Sequence, residues 1–437
     1  MIGRRNGFVL LISLWVMALL GTVALYFAHT IRFAQHRSAN VVAGHHADQA
    51  VLAAIRYSRA ILQNTVGAES LPDASTAAVE AASVGESRFW ILGRSPENET
   101  SGTEPSFGFV DEASKLNLNT ASYDMLIALP GMTAELAAAI IDWRDRNDTP
   151  EPGGAESETY LGLDPPYQCR NAPFTSPEEL RLVFGCSLDL LFGRDRNLNG
   201  VLDSREQDGT FDVLHEGALP SQVHGLLEYV TVWSRHPNAN AAGNANINLN
   251  GRNAATGLSE LLQETFDSAL AAEVAGRTAV GRGDYGSLLE FFLASGLTVA
   301  QFAEIDDDLA VTDEDWTDGL INVNTAPAAV LRCLPGMEAE DADALVMYRR
   351  EHGSTLKSVA WLREVLDAEK AAMIGPYVTT RTAQFSADIV AVGPGGRGFR
   401  RAFVVFETAG GEIRPLYRRD RQALGWCLER DMLEELP

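Results

Sequence analysis

The hydrophobic and polar positions divide the chain into an apolar start, β-rich ends and a long helical middle. Residues 8–28 carry no charge over 21 positions, and a helix of that length spans about 31 Å, enough to cross the hydrocarbon core of a bilayer. After that run the pattern becomes amphipathic, with apolar residues three or four positions apart up to Gln63. We therefore predict one helix over 8–63 whose first part, residues 8–30, spans a membrane while the remainder packs on a globular domain.

Short β-rich runs flank the rest of the chain, and Gly393-Pro394-Gly395-Gly396 joins two of them as a hairpin. The predicted strands cover residues 87–94, 107–111, 387–392, 399–408 and 412–417. The economical topology is an α+β fold, in which the early helix packs on a small antiparallel sheet that is split by a large, mostly α-helical insertion. Residues 31–112 and 383–437 then form the two parts of the sheet domain, and residues 113–382 form the insertion.

Charge narrows the classes of function. The 437 residues include 35 Lys and Arg against 59 Asp and Glu, which gives a formal net charge of -24. Polyphosphates repel so acidic a chain, which disfavours nucleic acid as a partner, whereas divalent cations are attracted to it. The acidic run 306–318 is expected to be a solvated linker. Since the sequence contains no Gly-x-Ser-x-Gly, His-Glu-x-x-His or phosphate-loop motif, we predict that the protein is not an enzyme.

A motif with two alternating asparagines occurs three times in the helical middle, at residues 116–121, 247–250 and 321–326. The first and third copies are followed by a Leu-Pro-Gly-Met turn and a second helix, an arrangement that resembles the helix-hairpin-helix unit. The asparagine side chains are expected to cap the following helix. Because the second glycine needed to grip a DNA phosphate is missing, we interpret the repeats as structural.

The strongest chemical signal is the segment 195–206, which matches the twelve-residue EF-hand loop at every coordinating position. Gly200 permits the sharp turn, and the hard oxygen donors favour calcium over magnesium. No clear helix precedes the segment, so we predict a calcium-binding loop rather than a sensor that opens and closes. The predicted ligands are the side chains of Asp195, Asn197 and Asn199, the carbonyl of Val201, Asp203 through water, and both carboxylate oxygens of Glu206.

The start of the chain resembles the leader of type IV prepilins and type II secretion pseudopilins, because Arg4-Arg5-Asn6-Gly7 precedes Phe8 and the apolar run. The resemblance implies that residues 1–7 are a leader, which a prepilin peptidase removes on the cytoplasmic face by cutting between Gly7 and Phe8. Most members of these families carry a glutamate at the fifth mature position, where this sequence has Ile12. That departure is typical of the K-type minor pseudopilins (GspK).

A second stretch is also similar to the K family. It runs from Asp142-Trp143 through Gly154-Ala155-Glu156 to Pro165-Pro166-Tyr167. The resemblance implies a type IV pilin-like fold and an acidic loop that coordinates calcium, with Asp145, Asn147 and Glu156 as candidate ligands. The loop at 195–206 is not part of the family pattern, which makes it an insertion peculiar to this branch.

The resemblance further implies a minor pseudopilin at the tip of the type II secretion pseudopilus, where it nucleates or caps the filament with I- and J-type minor pseudopilins for protein export across the outer membrane. It would be a single-pass protein of the inner membrane with its globular part in the periplasm. Disulfides are permitted in that oxidising compartment, and the four cysteines allow three connectivities, of which Cys169–Cys186 is preferred. The alternative function is a membrane-anchored DNA receptor of a competence system that uses the helix-hairpin-helix repeats.

Overall fold

The longest element is a helix over Asn6–Gln63, about 87 Å of continuous helix. The structure is a computed structural model that describes residues 6–64, 78–94, 105–207, 223–278, 280–281, 285–353 and 356–428. Side chains on the first part of the helix, including Phe8 and Phe33, are exposed, and buried positions begin at Ala43. This helix is long and apolar enough to cross a membrane. The predicted helix is confirmed, whereas Arg4 and Arg5 of the predicted leader lie outside the described residues.

The helix packs on a six-stranded antiparallel sheet whose strands come from both ends of the chain. The central strand, Gln384–Gly393, is buried along its whole length. Leu62 on the helix shares a hydrophobic core with Ile389 and Val404 of the sheet. In spatial order the sheet contains Ala82–Val84, Ser87–Leu92, Gln384–Gly393, Arg397–Glu407 and Arg414–Asp420, with Val110–Asp111 also paired to the central strand.

The hairpin between the two longest strands forms where the glycines predicted it, through a short 3-10 turn over Pro394–Gly396. Glycine is needed here for a second reason, because a Cβ at Gly393 or Gly398 would collide with the backbone of Ala43. The long helix therefore lies directly against the hairpin. The strand predicted over 107–111 is shorter than expected, at Val110–Asp111, and a further short strand, which was not predicted, covers Ala82–Val84.

A large, mostly helical insertion separates the early strands of the sheet from the late ones, and this confirms the predicted α+β fold class. Its α-helices are Tyr123–Ile127, Ala134–Arg144, Ser157–Leu161, Leu188–Phe192, Ser204–Gln207, Leu226–Tyr229, Ala254–Thr265, Ser268–Arg277, Leu288–Ser295, Val299–Phe302, Ala328–Leu331, Ala339–His352 and Ala368–Ile374. Its strands are Leu116–Asn117, Val230–Thr231, Arg235–Pro237, Ile247–Asn248, Leu309–Ala310, Trp316–Asp318, Ile321–Asn322 and Val378–Thr379.

Each of the three asparagine motifs begins a unit that is closed by a two-residue parallel strand pair. Leu116–Asn117 pairs with Val230–Thr231, and the other two motifs pair with Leu309–Ala310 and Val378–Thr379 in the same way. In every copy the first asparagine accepts a hydrogen bond from the backbone N–H of the second, at 2.9–3.0 Å. The strand pairs are too short for a hydrophobic period, so the repeats were visible only as a motif.

The second asparagine of each motif holds a distant piece of backbone. The side-chain amide of Asn119 donates to the carbonyl of Phe174, and its side-chain oxygen accepts from the N–H of the same residue. Asn250 makes the same two hydrogen bonds with Tyr285. Asn324 donates to the Leu356 carbonyl and accepts from the indole of Trp361. The prediction that these amides cap the following helix is wrong, because in the first unit that cap is the side chain of Ser122.

An arginine closes the first and third units in the same manner. Arg144 donates to the carbonyls of Leu118 and Ala121, and Arg349 donates to the equivalent carbonyls of its own unit. Both guanidinium groups donate to backbone carbonyls inside their own units, which supports the structural interpretation of the repeats. The acidic run is also partly internal: Asp306 is buried and pairs with Arg381, so the prediction of a solvated linker is wrong at that residue.

Candidate metal centres

Three carboxylates converge where two helices of the insertion meet. Asp142 lies on the last turn of Ala134–Arg144, Asp145 is the residue that ends this helix, and Glu156 is the residue that precedes Ser157–Leu161. One oxygen from each carboxylate lies within 4.8 Å of the others. We call this group the carboxylate cluster. Its oxygens are close enough together to share one cation.

The carboxylate cluster lacks the hydrogen bonds that buried anions require. Both oxygens of Glu156 and Oδ2 of Asp142 are buried and have no hydrogen-bond partner among the described residues. Burial raises the pKa of Glu156 to about 7, and the charges of Asp142 and Asp145 add to that rise. Burial likewise raises the pKa of Asp142. Buried, unpaired carboxylates are costly, and a bound cation would compensate them.

A glycine and three aromatic residues surround the carboxylate cluster. A Cβ at Gly154 would collide with the Asp142 carboxylate, so glycine at this position makes the space that the carboxylate occupies. Behind the cluster, the rings of Trp143 and Tyr160 lie 5.1 Å apart, and those of Tyr160 and Tyr167 lie 5.3 Å apart. The aromatic side chains form a rigid wall behind the carboxylates.

Two of the three ligands predicted for this stretch, Asp145 and Glu156, are brought together by the structure. Asn147 lies beside them: it is exposed, its side-chain oxygen accepts from the Thr149 N–H at 2.8 Å, and its amide donates to Asp145 at 2.7 Å. The structure adds Asp142 to the cluster. Sequence reasoning missed Asp142 as a ligand because it lies inside a helix, although it opens the Asp-Trp motif.

The predicted disulfide next to this cluster is not formed in the structure, where Cys169 and Cys186 are both thiols. Cys169 is buried, and its sulfur lies 3.7 Å from the carbonyl of Asp142. Cys186 is half-buried, and its sulfur lies 3.9 Å from the carbonyl of its neighbour Ser187. The fold thus gives the two sulfurs different partners.

The loop at 195–206 is folded on itself by its own side chains. Asp195 accepts the backbone N–H groups of Asn199 at 3.0 Å and Gly200 at 2.8 Å. Glu206 accepts those of Asn197 at 3.1 Å and Asp203 at 3.2 Å. The first and last coordinating positions therefore both face the middle of the loop. Gly200 has a φ of 85°, which is the left-handed turn that we predicted for it.

The ligand side chains of this loop are buried. Asp195, Asn197, Asn199 and Glu206 are each less than 5% exposed. The side-chain oxygen of Asn197 has no hydrogen-bond partner among the described residues. Burial raises the pKa of Asp195, and burial together with the charge of Asp195 raises the pKa of Glu206 to about 7. A hard cation would satisfy that oxygen and compensate both carboxylates.

The remaining predicted ligands, Val201 and Asp203, lie in the same folded loop, and a short helix precedes it. Val201 is buried, and half-buried Asp203 accepts the Asn197 amide and the Glu206 N–H. The prediction that no helix precedes the loop is wrong, since the five-residue helix Leu188–Phe192 ends just before it. Its length is below what a hydrophobic period can reveal. The donor set, all oxygen, fits calcium.

Comparisons with known proteins give one consistent family. Two family models, both described as type II secretion system (T2SS), protein K, match residues 110–191 and 321–380. The type II secretion system protein K of Pectobacterium carotovorum subsp. carotovorum is 38% identical over 56 residues, which are 13% of this chain and 17% of that protein. The matched segment thus spans about a sixth of the relative's length.

A similar solved structure is the crystal structure of the GspK–GspI–GspJ complex from the type 2 secretion system of enterotoxigenic Escherichia coli. It has a TM-score of 0.40 and 12% sequence identity to this chain, and the alignment covers 90% of this chain and 99% of that one. The first family match, over 110–191, contains the whole carboxylate cluster, and the loop at 195–206 lies beyond its end.

Proposed function

We propose that the chain is a minor pseudopilin of the type II secretion system, held in the inner membrane by its N-terminal helix, and the support is that two models of protein K of this system match residues 110–191 and 321–380. The observation that carries the proposal is the division of the Asn6–Gln63 helix. Its first part exposes large apolar side chains, and its second part is buried against the sheet. A helix with this division can be stored in a bilayer and then packed against other helices in a filament.

The position of the protein in the filament follows from its bulk. The insertion between the sheet strands is far larger than the sheet itself. A subunit of this shape at the tip of the pseudopilus would obstruct the addition of another subunit above it. We propose that the protein caps or nucleates the filament together with I- and J-type minor pseudopilins, with its globular part in the periplasm, and so serves protein export across the outer membrane.

We also propose that the protein binds calcium at the carboxylate cluster and at the loop 195–206. The support is physical: both places bury carboxylates, and both contain a buried oxygen with no hydrogen-bond partner among the described residues. Calcium would supply charge compensation and fix the conformation of the insertion. The role is structural, since calcium here would hold segments of the insertion together.

Assembly is tested by co-purification of the full chain, solubilised from membranes, with candidate I- and J-type minor pseudopilins. We expect a complex in calcium and a weaker one in chelator, because the bound cations hold segments of the insertion in position. An unrelated single-span membrane protein serves as the control bait. Failure to form a complex with either partner type in calcium would refute the proposed function.

Processing gives a second test. We expect the prepilin peptidase to remove residues 1–7 and leave Phe8 as the first residue, and we expect Gly7→Val to block this cleavage because a branched side chain replaces the small residue before the cut. The measurement is the intact mass and N-terminal sequence of the chain isolated with and without the peptidase. Gly21→Val is the matched control, since Gly21 lies in the same helix with open space around it. Normal cleavage of the Gly7 variant would contradict the assignment.

A further inference from the structure

The backbone of the loop 195–206 is fastened to the sheet by a buried arginine. Arg401 lies on the Arg397–Glu407 strand and is 1% exposed. Its guanidinium donates to the carbonyl of Asn197 and, at 2.8 Å, to the carbonyl of Leu198. The same guanidinium forms a two-pronged ion pair with Asp388 on the neighbouring strand, at 2.8 Å for each bond. The donor is thus rigidly held by the sheet.

Two further contacts join the same three loop residues to the sheet side of the molecule. Arg94, which follows the Ser87–Leu92 strand, donates to the Leu198 carbonyl at 2.7 Å. The amide of Asn199 donates to the carbonyl of Cys427 at 2.9 Å. Leu198 has a φ of 53°, a left-handed conformation that is uncommon for a leucine, and its carbonyl accepts from both arginines. Residues 197–199 are therefore the contact between the insertion and the sheet at this point.

Those residues are also ligand positions of the loop. Asn197 and Asn199 are the third and fifth positions, whose side-chain oxygens would bind the cation, while the carbonyls of residues 197 and 198 accept from the sheet arginines. The buried side-chain oxygen of Asn197 has no hydrogen-bond partner among the described residues. Without a cation, Asp195 and Glu206 repel each other across the loop. A cation that draws the side chains together would also fix the carbonyls that the arginines bind.

We propose that calcium in the loop 195–206 acts as a latch, which fastens the helical insertion to the sheet through the backbone of residues 197–199. This inference rests on the proposed calcium binding and adds to it a mechanical consequence. Binding and docking involve the same three residues, so each stabilises the other. When calcium leaves, the loop releases the sheet while both parts stay folded.

Cys427 reports on the latch in the full chain. It is 2% exposed beside the loop, so it is expected to react slowly with alkylating reagents while the latch is closed. Cys333, equally buried but within the core of the insertion, is the internal control for unfolding. Mass spectrometry resolves the alkylation rate of each cysteine. We expect chelator to raise the rate at Cys427 by about tenfold or more and to leave Cys333 unchanged.

Variants separate the latch from the binding of calcium. Glu206→Gln should lose one bound calcium ion and label rapidly at Cys427 even in calcium, whereas Glu260→Gln, an exposed glutamate on Ala254–Thr265, should behave as the wild type. Arg94→Gln should label rapidly at Cys427 while it still binds the full number of calcium ions at saturating calcium, because Arg94 supplies no ligand and donates to the Leu198 carbonyl, its ion-pair partner being Glu228.

Each outcome decides one of the two claims. If Glu206→Gln binds as much calcium as the wild type, calcium binding by this loop is refuted. If Glu206→Gln loses its ion but Cys427 stays protected, binding stands and the latch is refuted. A parallel rise at Cys333 would show unfolding of the insertion and would also overturn the latch.

Discussion

Glu156→Gln is expected to stabilise the calcium-free protein and to remove the stability that calcium adds at the carboxylate cluster, while the loop 195–206 keeps its own contribution. In the absence of calcium, the variant no longer buries a carboxylate whose pKa is raised to about 7, and the gain near neutral pH should be about 1–2 kcal/mol. In calcium the wild type should be more stable than the variant. A cation present at one thousand times its Kd stabilises the protein that binds it by about 4 kcal/mol. The measurement is thermal and denaturant unfolding of the full chain with calcium and with chelator.

The same substitution should change how the stability of the calcium-free protein depends on pH. The folded state holds the Glu156 proton more tightly than the unfolded state, so calcium-free wild type should lose stability as the pH rises from about 4.5 to about 7. Part of that slope should disappear in Glu156→Gln, while other buried carboxyl groups keep the rest, among them Glu206 with a pKa of about 7 and Asp111 and Asp306 with pKa values of about 6. Glu158→Gln, an exposed neighbour, is the control and should leave both the slope and the calcium effect intact. An identical response of Glu156→Gln and wild type to calcium would refute the cluster as a cation site.

Arg401→Met is expected to cost about 3 kcal/mol of stability or more, because it leaves the buried Asp388 carboxylate with a single cationic partner. Burial opposes ionisation of Asp388, but the guanidinium groups of Arg401 and Arg421 outweigh it and hold the pKa of Asp388 below its usual range. Arg421 remains 2.8 Å from the carboxylate in the variant, which keeps the expected loss near the lower end for a broken buried pair. Urea unfolding at neutral pH measures the loss.

Two further variants test whether the loss of stability comes from the ion pair itself. Arg418→Met, in the exposed edge strand Arg414–Asp420, is the matched control and should change stability by less than about 1 kcal/mol. The double variant Arg401→Met, Asp388→Leu should recover part of the loss, since no charge is then left buried without its main partner. A single Arg401→Met variant as stable as the Arg418 control would show that the ion pair contributes nothing to the fold.

The sequence carried enough information to predict the elements that are long or periodic. The Asn6–Gln63 helix and the two longest strands were found because an apolar pattern extends over many residues. The hairpin was found because its glycines permit a tight turn that other residues disfavour. The two-residue strand pairs of the repeats could not be found in this way, because they are held by pairing with residues distant in sequence.

The two candidate sites also differ in how much of each could be predicted from the sequence. The loop 195–206 could be proposed from the sequence because its candidate ligands follow one another in the chain, whereas the carboxylate cluster is assembled from the ends of two helices. Asp142 was missed, since only the fold determines which side chains of a helix turn inward. The docking of the loop on Arg401 was likewise invisible, because more than 200 positions separate the partners.

Because the insertion separates the early strands of the sheet from the late ones, the sheet can be completed only after the whole insertion has been synthesised. The strand Ser87–Leu92 is synthesised about 290 residues before its partner Gln384–Gly393, a delay of roughly 15–60 s at about 5–20 residues per second. During that interval the apolar strand has its eventual partner missing, and the long helix has no finished surface to lie on. The part of the protein that is made first is thus finished last, and a chaperone that shields strand edges would act in this window.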